Sequence, residues 1–200
     1  MLSRYLGVRP RLSTGDIVLF SGRGVISSGI KLASGSMWSH VGIVLRIPEY
    51  DFVCVWESTT LSGLFDLCSG SIRSGVQLVP FSDRVSSYRG RIAVRHLVID
   101  GGLGSGSLCS LMELRNELRG CSYERSRLEL FRSAFGGIFR SGSEDLSSIF
   151  CSELVAEAYQ RLGLLCSGIP SNSYIPADFS SGRDLSLLGG ASLSEEHFLC

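Results

Sequence analysis

The sequence has no long apolar run. No stretch approaches the ~20 residues that a membrane span needs. It has no excess of charge either: nineteen basic residues balance nineteen acidic ones, so bulk charge gives no general affinity for nucleic acid. Lysine is nearly absent, with Lys31 the only one, so the basic character rests on arginine. No C-x-x-C pair occurs, which removes the usual spacing of a structural zinc site. The first seven residues, Met1 to Gly7, lack an apolar core followed by a small-residue cleavage site, so no secretory signal is expected there. These absences lead to the expectation of a cytoplasmic protein with no integral membrane span and no cofactor.

Apolar residues make up 44% of the chain and charged residues 19%, a globular composition. With 200 residues, one domain over 1–200 is expected, with a core of about 14–180 and an irregular tail over 181–200. The seven cysteines are odd in number and irregularly spaced, as in a reduced, intracellular protein rather than a disulfide framework.

The apolar pattern predicts a buried strand at Ile17–Phe20 and a short helix at Val25–Ala33. A hairpin follows, Val41–Ile47 and Phe52–Glu57 about the turn Pro48–Asp51. Leu61–Ser74, rich in Gly and Ser, reads as a loop. Val76–Pro80 and Arg91–Val98 read as strands. Helical spacing recurs at Leu108–Leu118, Arg125–Phe139 and Cys151–Leu162, the last closed by Gly163. Strands come first and helices second, which suggests a segregated α+β domain.

Two segments carry chemistry: Trp38-Ser39-His40-Val41-Gly42-Ile43-Val44 and Phe150-Cys151-Ser152-Glu153-Leu154-Val155. His40 stands just before a strand, where it can reach a cleft and act as a base. Cys151 falls at the predicted start of a helix, with Ser147 or Ser148 as cap. There the helix dipole favours thiolate, and the Cys151 N–H is available to an oxyanion. Cys151, Leu154, Val155, Ala158 and Leu162 share one helical face. The even hairpin loop sets Ile47 opposite Phe52. Period-two alternation then places His40 on the same face as Val53, Val55, Glu57 and Thr59. Glu57 is thus the candidate to orient the imidazole. Asp16 is expected to bind turn N–H groups. His96 is expected to be structural, and His197 to be solvated in a polar tail.

The segments Gly15–Phe20, Ile26–Lys31, Trp38–Val44, Glu57-Ser58, Phe150–Ala156 and Tyr174–Phe179 together resemble the circularly permuted branch of the NlpC/P60 papain-like superfamily, the YiiX-like group. Gly120–Tyr123 is similar to its Gly-x-x-Tyr segment. The resemblance implies a papain-like α+β fold, a small antiparallel sheet or barrel packed against helices. It implies Cys151 as nucleophile, His40 as base and Glu57 as orienting residue. Trp38, Ser39, Tyr123 and Ser152, which lie in the matched blocks, become candidate substrate contacts. The implied activity is a thiol amidase or peptidase working through an acyl-enzyme on a peptide substrate. Two alternatives stand beside it: an acyl-lipid hydrolase or transferase with peripheral membrane contact, for which the Arg125–Arg140 stripe is the local reason, and a binding module without turnover. A zinc site of His40, Cys151 and Glu57 lacks a fourth ligand and ranks last.

Overall fold

The computed structural model describes residues 2–61, 63–121 and 146–199; the side chains of Ile26 and of residues 146–150 lie outside that description. Tyr123 and the predicted helix Arg125–Phe139 also lie outside the described residues.

The chain opens with a helix α1 (Leu2–Val8) and a strand β1 (Ile17–Gly22). Helix α2 (Val25–Ser34) precedes the hairpin β2 (His40–Ile47) and β3 (Phe52–Thr59). Two short strands follow, β4 (Phe65–Asp66) and β5 (Ser71–Ile72), then β6 (Gly75–Pro80) and helix α3 (Phe81–Ser87). Next come β7 (Gly90–Arg95), β8 (Leu97–Val98), α4 (Ser105–Glu117) and α5 (Leu146–Arg161). Strands β9 (Ser192–Leu193) and β10 (His197–Phe198) end the described chain.

Six strands form one antiparallel sheet in the order β10-β7-β1-β2-β3-β6. β1 shows why its sequence is an unbroken apolar run: both of its faces are covered. Ile17 and Leu19 pack in a cluster with Leu111 and Leu114 of α4 and with Leu154, Val155 and Ala158 of α5. Val18 and Phe20 pack in a second cluster with Tyr5 of α1 and with Phe81 and Val85 of α3. The sheet therefore lies between two helical layers.

The hairpin forms in the register set by its even loop, with Ile47 opposite Phe52 and Ile43 opposite Trp56. Elsewhere the structure departs from expectation. The loop Leu61–Ser74 holds the β4–β5 pair, because buried Asp66 accepts from the N–H groups of Cys68, Ser69 and Leu78. The predicted strand Arg91–Val98 breaks at His96. Asp16 accepts from the N–H of Leu97 and from the His96 ring, which turns the chain away from β1 and lets β8 pair with β9. The tail is not wholly irregular: β10 pairs with β7, and His197 is half-buried there rather than solvated. Helix α5 starts at Leu146, not at Cys151, and ends as expected before Gly163, whose φ is +75°. No helix among the described residues is long and apolar enough to cross a membrane.

Candidate active site

β2 begins at His40, so the imidazole sits at one end of the sheet, where both helical layers reach it. Its ring packs on Phe20, the residue paired with it on β1, at a centroid distance of 5.2 Å. Across the hairpin the residue opposite Gly42 is Glu57, two positions along the same face from His40. A Cβ on Gly42 would stand 2.8 Å from Val55 Cγ2 and 3.3 Å from Glu57 Cβ. Glycine there gives the glutamate room to lie beside the histidine. His40 Nε2 and Glu57 Oε2 are 2.6 Å apart, and Glu57 is 1% exposed.

Glu57 has a second partner that the sequence reading did not select. Arg84 of α3 donates from Nε to Glu57 Oε1 at 2.7 Å, and its Nη2 lies 2.6 Å from the same oxygen. Arg84 is 3% exposed. The signal for it was present: helical spacing puts Arg84 on one stripe with Phe81, Val85 and Tyr88, and a charge on an apolar stripe needs a buried partner. The other ring contact of His40 is the Cys151 side chain, through a hydrogen bond. Glu57 holds Nε2, which leaves Nδ1 for the sulfur.

The result is a row, Arg84–Glu57–His40–Cys151, that runs from a helix of one layer to a helix of the other. Its electrostatics are consistent along its length. Burial alone would push the His40 imidazole down. The charge of Cys151 and its hydrogen bond, and then Glu57, outweigh that and hold it up at about 10. Burial would push Glu57 up, but Arg84 and the His40 bond keep it below the usual carboxylate range. Glu57 and Cys151 thus favour the imidazolium form of His40 at neutral pH.

Cys151 sits on the stripe expected of it: Leu154, Val155, Ala158 and Leu162 share its cluster. It is not in the first turn. It is the sixth residue of α5, where an N–H normally bonds to the carbonyl four residues back. It therefore lies away from the positive helix end and from the unpaired N–H groups of the first turn, contrary to expectation. His40 and not the helix end is the cation beside the sulfur. Cys151 is fully buried, whereas His40 opens on a cleft of about 580 Å³.

The other candidate contacts have protein partners. Trp38 is 2% exposed, donates from Nε1 to Glu196 at 2.8 Å and stacks on Phe198. Ser152 donates to the Tyr174 carbonyl at 2.6 Å and ties α5 to the following segment. Ser39 lines the cleft, but its hydroxyl accepts from the Gly22 N–H and donates to the Phe20 carbonyl. No group of three or more His, Cys, Asp or Glu side chains able to hold a metal is present among the described residues.

Fold and site together define an α+β protein, an antiparallel sheet packed against helices, with an Arg–Glu–His–Cys row at the end of the sheet that meets a cleft at His40. No protein-family model matches the chain, and no curated protein matches it. Among solved structures, the chain is similar to the metalloprotein yiiX from Escherichia coli O157:H7. The identity is 23% and the TM-score 0.49, over 79% of this chain and 68% of that one.

Proposed function

We propose that the protein is a cysteine-dependent acyl hydrolase of the amidase or peptidase type, in line with the permuted NlpC/P60 resemblance of its motifs. The observation that carries this reading is the hydrogen bond between Cys151 and a His40 held as imidazolium by Glu57 and Arg84. Cys151 Sγ, as thiolate, attacks the substrate carbonyl carbon and forms the S–C bond. His40 passes its Nδ1 proton to the departing nitrogen as the C–N bond breaks. The imidazole, now neutral, takes a proton from water as the water oxygen attacks the thioester. Breaking of the C–S bond then restores the thiolate and the imidazolium. Glu57 keeps the ring oriented through both halves, and Arg84 keeps Glu57 ionised.

A thiol-directed covalent probe tests this. The parent should label at Cys151 and the Cys151→Ala variant should not. Cys54 supplies the internal control, because burial pushes its thiol up to about 12 and it should stay unlabelled near neutral pH. Equal labelling of parent and variant would sink the reading. The full burial of Cys151 favours a second reading, a binding module on this scaffold without turnover. Absence of acyl-enzyme on intact-protein mass spectrometry with an activated ester would support that instead.

A further inference from the structure

The cleft beside His40 is not neutral. Arg23, Arg84 and Arg89 line it, and among the described residues no carboxylate does. Glu57 lies behind Arg84 and His40 and contacts both. The guanidiniums of Arg23 and Arg89 are exposed and have no ion pair among the described residues. Arg84 is 3% exposed, and its Nη2, though close to Glu57, makes no hydrogen bond. Helix α2 adds to this field. It spans ten residues, its N-cap is Gly24 without a side-chain cap, and Gly24, Val25 and Ser27 face the cleft. Its first N–H groups thus lack a capping acceptor from the side chain that usually supplies one. A helix start beside arginines suits an anion. Val25, Ile30, Leu61 and Tyr88 give the wall an apolar part, beside the hydroxyl side chains of Ser27, Thr59, Thr60 and Ser87.

We infer that this cleft selects an acyl substrate carrying an anionic group, a carboxylate or a phosphate, which Arg23 and Arg89 hold while the apolar part of the wall takes the acyl chain. The inference rests on the hydrolase reading and narrows its substrate. The imidazolium of His40 points the same way, since it is already paired and leaves the two mouth arginines as the charges to be met.

A matched pair of esters tests it: neutral 4-nitrophenyl butyrate, and mono-4-nitrophenyl glutarate, which adds a terminal carboxylate. At low salt the parent should prefer the glutarate by about tenfold in kcat/KM, the size expected of two partly exposed charge contacts. The preference should shrink with added salt. In an Arg23→Gln, Arg89→Gln double variant the ratio of the two esters should fall toward one. The Arg23→Lys, Arg89→Lys variant should keep most of it. Competition identifies the source of the anion: inhibition by inorganic phosphate assigns a soluble compound, and inhibition by phosphatidylglycerol vesicles but not phosphatidylcholine vesicles assigns a lipid headgroup. No preference in the parent, or the same ratio in parent and double Gln variant, overturns the inference while leaving the hydrolase reading standing. If neither ester gives a Cys151-dependent burst of nitrophenol, the hydrolase reading fails and the inference falls with it.

Discussion

The molecule holds two histidine–carboxylate pairs, and they are built differently. His40 meets Glu57 at 2.6 Å, and His96 meets Asp16 at 2.9 Å through Nδ1. Both carboxylates are 1% exposed. The difference lies in what else each carboxylate and each ring touches. Asp16 also accepts from the backbone N–H groups of Ser13 and Leu97, so it closes a turn and sets the break between β7 and β8. Glu57 spends its other oxygen on a buried guanidinium. The second ring nitrogen of His96 is buried without a hydrogen bond, while the His40 ring reaches a thiol and a cleft. A histidine–carboxylate pair is therefore not a site in itself. A thiol on the far ring nitrogen and a cation behind the carboxylate separate the first pair from the second.

Paired substitutions break this comparison most directly. Glu57→Gln should lower kcat/KM by roughly a hundred- to a thousandfold, because the imidazolium loses its orienting charge. Asp16→Asn should leave kcat/KM within a few-fold and instead lower the melting temperature, since its losses are backbone contacts worth about 1–3 kcal/mol. If both variants lose activity alike, the two pairs do not differ in role.

Arg84 comes next. Arg84→Met removes one partner of a buried ion pair, and breaking such pairs costs about 3–5 kcal/mol. Denaturant unfolding should show a loss of that order, and Arg84→Lys should recover part of it. The charge on Glu57 would then depend on His40 alone.

The pH dependence sharpens the picture. The folded His40 is raised from 6.5 to about 10, so its contribution to stability is complete below pH 6.5 and is lost as pH rises toward 10. The folded Glu57 is lowered from 4.5, so its contribution is present above that value and is lost as pH falls through the folded one. The site is thus most stabilising between about pH 4.5 and 6.5. Acylation, which needs the Nδ1 proton, should show an alkaline limb near pH 10. A limb near 6.5 would mean that the thiol does not hold the proton on His40.

Much of this was legible in the sequence where the relevant constraint is local. The even hairpin loop fixes the register, the register fixes the faces, and so Glu57 could be placed beside His40 without a structure. The stripe Leu154, Val155, Ala158 and Leu162 likewise follows from spacing within one helix. The stripe of Phe81, Val85 and Tyr88 marks Arg84 as a charge in need of a buried partner, but which partner was not legible, because Arg84 reaches Glu57 only through the pairing of β6 with β3. β10 was hidden for the same reason: two residues pair with a strand about a hundred positions earlier. The start of α5 was misplaced because serines favour caps but do not compel them, and Ser147 and Ser148 fall inside the helix.

The smallest effects come from two glycines, one beside each pair. A Cβ at Gly42 would meet Val55 and Glu57, so Gly42→Ala must move the glutamate by a few tenths of an ångström. Its backbone φ is not positive, so the strain falls on those neighbours and not on the turn. Activity should drop by about tenfold, since misplacing an orienting group weakens alignment without removing it. Gly15, next to Asp16, has φ +100°, and a Cβ there would stand 2.8 Å from Leu97 Cδ2. Gly15→Ala should therefore cost roughly 1–2 kcal/mol in stability and leave kcat/KM nearly unchanged. Thermal unfolding and ester hydrolysis measured on both variants read the contrast. Loss of activity from Gly15→Ala as large as that from Gly42→Ala would mean that the His96–Asp16 side of the sheet is coupled to the thiol, which the separate partners of the two carboxylates argue against.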